Sequence, residues 1–304
     1  MDAPNLPPAR FSATPSDPVL DRDRLEAIIA AAEPVGIQYA SILAGGVCSA
    51  GCYFCLGAAV RGHESAHCGP AWDCFIEAAA SRVRPYLSLS GVSSDPTLLP
   101  QAEVIVEAAR RAGFVVALHT NGMADRPALY EAADRLTISC HSFAPAAFGA
   151  IMNRPPASLA AVCRTLAAHG PSGRVKLSAT YLPENAAEIS SGRWFTAGQA
   201  FGVHRFVVRR RAGDFAAPEL PARARPSGDF AGCPVFELDG AQVTVWDYAV
   251  ANQRLPALLY WPDGRVESVT AWADLISTQI EPLDESIKTR PLEEPPNGSR
   301  RPCP

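Results

Sequence analysis

From about residue 35 to residue 210, short apolar runs alternate with longer stretches whose apolar residues recur every three or four positions. The short runs read as strands: Ile37–Leu43, Tyr86–Ser90, Phe114–His119, Leu136–His141, Val175–Tyr181 and His204–Val208. The longer stretches read as helices, as in Leu98–Arg111 and Ser158–His169. A strand–helix alternation repeated six times implies parallel strands joined by right-handed crossovers, with helices over the outer face.

Inside the strands the pattern has period two. Leu87 and Leu89 alternate with Ser88 and Ser90. Leu136, Ile138 and Cys140 alternate with Thr137, Ser139 and His141, and Val175, Leu177 and Ala179 with Lys176, Ser178 and Thr180. Side chains alternate faces along a strand, so one face is apolar and the other polar. Parallel strands covered on both sides read as continuous apolar runs, and a dry barrel core is filled with Val, Ile and Leu. A polar inner face therefore implies a lumen that takes a polar ligand. A solvent-facing side of the sheet is the alternative.

Residues 1–18 are rich in Pro, Ala and Asp and read as poorly ordered, and Asp21–Ala32 reads as a helix with acidic residues in its first turn. Residues 213–230, rich in Pro, Ala, Gly and Arg, read as a linker or loop. Pro234–Leu238, Gln242–Tyr248 and Leu258–Trp261 read as short strands, and a Pro262-Asp263-Gly264 turn leads to a return strand over Arg265–Val269. Residues 282–304 read as a charged, Pro-rich tail. The expected organisation is an N-terminal segment (1–34), an α/β core (35–212) and a small β-rich appendage with a tail (213–304).

The 304 residues are 48% apolar, enough for a substantial core. Net charge is −4, and Arg209-Arg210-Arg211 is the one dense basic spot, which argues against duplex nucleic acid as a partner. No apolar run reaches the about 20 residues of a membrane span, and no signal pattern opens the chain. Nine cysteines without such a signal point to reduced thiols in the cytoplasm.

Three of the cysteines lie together just after the first strand, as Cys48-Ser49-Ala50-Gly51-Cys52-Tyr53-Phe54-Cys55. Thiolates are soft ligands that favour iron–sulfur clusters and zinc. A structural site has four protein ligands. Three close thiolates without a local fourth suggest a cluster with one iron left for a substrate; a zinc knuckle or buried thiols are the alternatives.

With an aromatic before its third cysteine, this C-x3-C-x2-C run resembles the signature of the radical S-adenosylmethionine (radical SAM) superfamily. The resemblance implies that Cys48, Cys52 and Cys55 hold a [4Fe–4S] cluster whose fourth iron chelates SAM, with Phe54 beside the adenine. It implies that one electron cleaves SAM to methionine and a 5′-deoxyadenosyl radical, which takes hydrogen from the substrate. It also implies a partial (β/α)6 TIM-like barrel with the cluster loop after the first strand. A second likeness is Ser90-Gly91-Val92-Ser93-Ser94-Asp95-Pro96-Thr97-Leu98, a departure from the family's Gly-Gly-Glu-Pro stretch that keeps an acid–proline pair. By that likeness Ser90, Gly91, Ser93 and Asp95 are candidates for SAM. A third is His119-Thr120-Asn121-Gly122, close to the family's Thr-Asn-Gly, which adds His119 and Asn121.

Ser139 and Ser178, on lumen positions, are expected near SAM. His141 is either structural or part of the SAM or substrate site. Lys176 sits in mid-strand, where burial without an anionic partner is costly; the expected partner is a SAM or substrate carboxylate, or a buried acid. Cys233 is read as a hydrogen-atom donor, an auxiliary-cluster ligand or a structural thiol. Cys68, Cys74 and Cys303 are the other candidates for a second cluster. The expected partners are a one-electron reductant such as flavodoxin or ferredoxin, and a peptide substrate (epimerised or crosslinked) or a small metabolite. The competing class is a non-catalytic iron–sulfur or zinc protein.

Overall fold

The computed structural model describes residues 37–55, 68, 69, 71–80, 83, 85–91, 94–211, 217–247, 255 and 257–269. The readings of 1–34 and of the 282–304 tail lie outside these residues.

Six neighbouring strands run parallel: β1 Tyr39–Ala44, β2 Tyr86–Gly91, β3 Val115–Thr120, β4 Arg135–Ser139, β5 Val175–Thr180 and β6 Arg205–Arg209. Between them lie helices α1 Trp72–Ala80, α2 Ala102–Arg111, α3 Pro127–Ala132, α4 Pro145–Met152, α5 Leu159–His169, α6 Pro183–Ser190 and α7 Arg193–Gln199. Helix α2 shows why such segments fold as they do. Ala102, Ile105, Val106 and Ala109 form its buried stripe, with Glu103 in its first turn and Arg110 and Arg111 in its last. Truncating a buried residue of this kind, as in Ile105→Ala, costs about 2–5 kcal/mol.

The C-terminal strands join the same sheet. They are β7 Arg225–Phe230, β8 Cys233–Leu238, β9 Ala241–Trp246, β10 Ala257–Tyr260 and β11 Val266–Val269. Strand β9 pairs in parallel with β6, and β10 in parallel with β1. An antiparallel β7–β8–β9 meander then forms one edge and the β10–β11 hairpin the other. The sheet is open, ending on β11 and β7.

The open sheet is nevertheless curled. In a flat sheet β1 and β6, five strands apart, would be separated by about 24 Å at the usual strand spacing. Yet Tyr39 and Leu43 of β1 share one packed cluster with Val207 of β6, Cys233 of β8 and Trp246 of β9. The result is an α/β partial barrel. Its outer face carries Ile42, Leu87, Leu118, Ile138, Leu177 and Val208 against the helices.

The lumen differs from the uniformly polar one expected. Polar residues do face inward from the middle strands, and Ser41 and Ser88 hydrogen-bond there at 2.7 Å. The other side is filled by Tyr39, Leu43, Trp246, Leu259 and Trp261. The C-terminal strands supply most of this apolar plug, which alternation within the first six strands could not show.

Strand β7 replaces part of the expected 213–230 linker. Its residues are exposed except at Phe230, and its pairing is irregular between Pro226 and Gly228. An edge strand that buries almost nothing leaves no alternation to read. Strand β4 stops at Ser139, not His141, because the Thr180 N–H that would extend the pairing donates to His141 Nδ1, at 3.0 Å. No helix among the described residues is long and apolar enough to cross a membrane.

Candidate cluster and SAM site

The loop that follows β1 carries Cys48, Cys52 and Cys55, all free thiols and all partly buried. Two neighbours fix its shape. The Gly51 N–H donates to the Met152 carbonyl at the end of α4 (2.8 Å), and the Cys52 thiol lies against the Met152 sulfur (3.5 Å). A side chain at position 51 would meet Asn153, which caps α4 in the left-handed conformation at φ 48°.

The loop after β2 braces the cysteine loop. The Ser94 hydroxyl donates to the Ala44 carbonyl, and the Asp95 N–H donates to the Val47 carbonyl at 3.2 Å. Asp95 is fully used. Its carboxylate accepts from the Thr97 N–H (3.0 Å) and hydroxyl (2.6 Å), the Thr120 hydroxyl (2.9 Å) and the Asn121 N–H (2.8 Å). The acid–proline pair therefore caps the 3-10 turn Pro96–Leu98 and ties it to the loop after β3. Gly91 is required here: a Cβ would lie 2.0 Å from the Ser94 carbonyl oxygen. Gly122 sits at φ 73°, with Ile138 2.9 Å from where a Cβ would be.

Asn121 completes the link. Its side-chain amide donates to Ser49 Oγ (2.8 Å) and toward the Cys48 sulfur (3.6 Å), and its Oδ1 accepts the Met123 N–H (3.0 Å). Burial pushes the Cys48 thiol up to about 11, and the Asp95 charge adds to the rise. A cation at the sulfur reverses that preference, since metal ligation requires the thiolate.

Phe54 packs edge-on to His141, with centroids 4.9 Å apart. Burial pushes His141 down to about 3, with the Arg209 charge adding to the fall, so the ring is neutral. Because Nδ1 accepts the Thr180 N–H, the proton sits on Nε2. His119 is held well below its ordinary value by burial and by the nearby charges of Lys176 and Arg209. Tyr53 donates to Glu184 (2.9 Å) and lies under Arg211, which fastens the cysteine loop to α6 and to the chain after β6.

Thus Cys48, Cys52, Cys55, Phe54, Gly91, Asp95, Asn121 and His141 meet at the C-terminal ends of the parallel strands, where barrel sites are built. Ser90, Ser139 and Ser178 lie on inward positions below them; Ser93 lies outside the described residues. Lys176 is buried but elsewhere. It lines a small hollow with Tyr86, Arg135, Thr137, Arg174 and Arg205, toward the N-terminal ends of the strands. Cys233, fully buried, shares a packed cluster with Trp246, which pairs with Arg209 at the C-terminal end of β6. The Asp247 N–H donates to its sulfur at 3.3 Å. Cys74 is disulfide-bonded, and Cys303 lies outside the described residues. Sequence reasoning missed Thr97, Thr120, Met152, Arg209 and Trp246. The hydroxyls could have been paired with Asp95 from the Asp-Pro-Thr and Thr-Asn-Gly runs; Met152, 100 residues from Cys52, carries no local signal.

Among the described residues no three His, Cys, Asp or Glu side chains converge as a single-ion site. In a cubane each thiolate binds a different iron, so the thiolates sit apart around the cluster. The donor set fits such a group: three free thiols on one braced loop, with the Ala50 N–H (3.4 Å) and the Asn121 amide directed at the Cys48 sulfur.

No protein-family model matches the chain, and no curated protein matches it. Solved structures do. Streptococcus suis SuiB bound to precursor peptide SuiA aligns with a TM-score of 0.56 at 13% identity, covering 81% of this chain and 62% of SuiB. SuiB bound to S-adenosylmethionine gives a TM-score of 0.54 at 12% identity. Escherichia coli HemN, a coproporphyrinogen III oxidase described as a radical SAM enzyme, gives 0.42 at 14% identity over 62% of this chain. The chain spans about 62% of the length of SuiB. At such identities the likeness speaks for the fold alone, and the fold is similar to that of SuiB.

Proposed function

We propose that this chain is a radical SAM enzyme in which Cys48, Cys52 and Cys55 hold a [4Fe–4S] cluster and SAM lies beside them in the mouth of the partial barrel. The observation that carries the reading is the braced cysteine loop: three free thiols at the C-terminal strand ends, tied through Asn121 to Asp95. When bound, the cluster supplies one electron to SAM, which gives methionine and a 5′-deoxyadenosyl radical.

The chain's own residues bind, orient and exclude water. Asn121 directs an N–H at a ligand sulfur. Asp95 holds the loops after β2 and β3 in register with the cysteine loop, so Ser90, Gly91 and Asn121 keep their places. Neutral His141 offers a donor at Nε2 beside Phe54. The plug of Tyr39, Leu43, Leu259 and Trp261 keeps bulk water from one side of the lumen, which shields a radical from side reactions. A reductant of the flavodoxin or ferredoxin class supplies the electron.

A peptide is the proposed substrate. SuiB, whose fold this chain resembles, has been solved bound to precursor peptide SuiA. Cys233, buried at the mouth end, is the proposed hydrogen-atom donor to the substrate carbon radical; the thiyl that results is reset by one electron and one proton from the same class of reductant. The test is anaerobic reconstitution with iron, sulfide, dithionite and SAM. The expected product is 5′-deoxyadenosine; its absence from iron-loaded protein contradicts the reading.

A further inference from the structure

Strands β4 and β5 part just beyond Ser139. The last paired residues are Ser139 and Ser178, and the Cys140 N–H still donates to the Ser178 carbonyl at 3.0 Å. In a parallel ladder the next bond would run from the Thr180 N–H to the Cys140 carbonyl. Both groups bond elsewhere. The Cys140 carbonyl accepts from the Trp194 indole N–H (2.9 Å), and the Thr180 N–H donates to His141 Nδ1 (3.0 Å). On its other side β5 stays paired with β6: Thr180 is in register with Arg209, and the Tyr181 N–H donates to the Arg209 carbonyl at 2.8 Å. The opening is therefore confined to the β4 side.

One side chain spans it. Asn185, in the first turn of α6, is fully buried. Its amide nitrogen donates to the His141 carbonyl (2.7 Å) and to the Thr180 carbonyl (2.8 Å), and its Oδ1 accepts the Leu182 N–H (2.8 Å). Two carbonyls on one side and an N–H on the other fix which way the amide points. Backbone groups released from a ladder and left dry are costly, so Asn185 lets the two strand ends stay apart. His141 is thereby held through its carbonyl by Asn185 and through Nδ1 by Thr180, whose own carbonyl Asn185 also holds. The imidazole then meets Phe54, the neighbour of Cys55, edge-on at 4.9 Å. Glu188, further along α6, accepts from the Phe143 N–H (2.9 Å) and the Ser142 hydroxyl and so supports the next two residues of the same loop.

We infer that Asn185 is a positioning residue of the cofactor site: by clamping the parted ends of β4 and β5 it holds His141 against Phe54, with Nδ1 occupied and the proton on Nε2. Asn185 bonds only to backbone groups and acts through His141. The inference rests on the radical SAM reading for what His141 and Phe54 serve, which is the binding of SAM beside the cysteine loop.

The experiment is a double-mutant cycle on SAM affinity, read by equilibrium dialysis of the reconstituted full chain with radiolabelled SAM. Asn185→Ala and His141→Ala should each weaken SAM by about tenfold. The double variant should be weakened by about the same factor, because residues that act as one unit do not add. Iron content and circular dichroism should match wild type. In turnover the loss in Asn185→Ala should fall mainly on KM for SAM. Asn185→Asp keeps the volume and the acceptor for the Leu182 N–H but neither donor, and it should weaken SAM as Asn185→Ala does. Glu188→Gln, which disturbs the neighbouring residues of the loop, should stay within about threefold of wild type. Wild-type affinity in folded Asn185→Ala or Asn185→Asp overturns the proposal. A double variant weakened by the product of the single factors overturns it too, as does an equal loss in Glu188→Gln, which would make the effect a general support of the loop. If wild-type protein binds SAM but forms no 5′-deoxyadenosine, the radical reading fails while the cycle still decides the role of Asn185.

Discussion

The Asn121 side-chain amide lies 3.6 Å from the Cys48 sulfur and bonds Ser49 Oγ at 2.8 Å. One residue of the loop after β3 thus reaches the first cysteine of the loop after β1. Groups that direct hydrogen bonds at metal ligands typically change affinity or activity by about 10–100-fold when removed. Asn121→Ala is therefore expected to lower 5′-deoxyadenosine formation by about that factor while leaving the circular dichroism spectrum intact. Wild-type rates in this variant would show that the contact does not serve the cluster.

Asp95 has a different role, because its carboxylate is saturated by Thr97, Thr120 and Asn121. Asp95→Ala strands buried donors, each worth about 1–3 kcal/mol. A loss of at least about 3 kcal/mol in urea unfolding is expected, together with reduced iron retention. Asp95→Asn, which keeps acceptor capacity, should lose less of both.

His141 makes stability depend on pH. Its folded value of about 3 lies below its ordinary 6.5. Between these values the unfolded chain binds a proton that the folded chain does not, so stability rises with pH there. The contribution is complete above about pH 6.5 and is lost as pH falls toward 3. His119 acts in the same direction. The unfolding free energy should fall by on the order of 1 kcal/mol per pH unit below 6.5, and His141→Gln should flatten that slope between pH 6.5 and 5. An unchanged slope would place the titration elsewhere.

Much of this architecture was legible in the chain. Expected strands Val175–Tyr181 and Pro234–Leu238 lie within a residue of observed β5 and β8, because β5 alternates apolar with polar residues although both its faces are buried, and β8 buries Val235 and Leu238 while exposing Pro234 and Glu237. Strand β7 was hidden because its exposed edge buries nothing. The cysteine loop was legible from spacing, and Asp95 from its proline. What Asp95 bonds was not, since Thr120 and Asn121 are 25 and 26 residues away. Lys176 is buried. Alternation fixes the face of a strand but not the height along the barrel, so its position among Tyr86, Arg135 and Arg205 could not be read.

Cys233 separates two outcomes after hydrogen abstraction. Its thiol is buried beside the Asp247 backbone. Cys233→Ala is expected to form 5′-deoxyadenosine and to retain its iron, but to give no product whose carbon has received a deuterium atom from the solvent-exchanged thiol side in deuterated solvent. Full deuterium incorporation in the variant would leave Cys233 a packing residue.

The cluster itself is the central claim, and iron and sulfide content is its most direct measure. Protein reconstituted anaerobically is expected to hold about four iron and four sulfide at this site and to cleave SAM on reduction. The variant with Cys48, Cys52 and Cys55 all replaced by alanine should hold none there and form no 5′-deoxyadenosine. SAM cleavage by that triple variant at the wild-type rate would contradict the account.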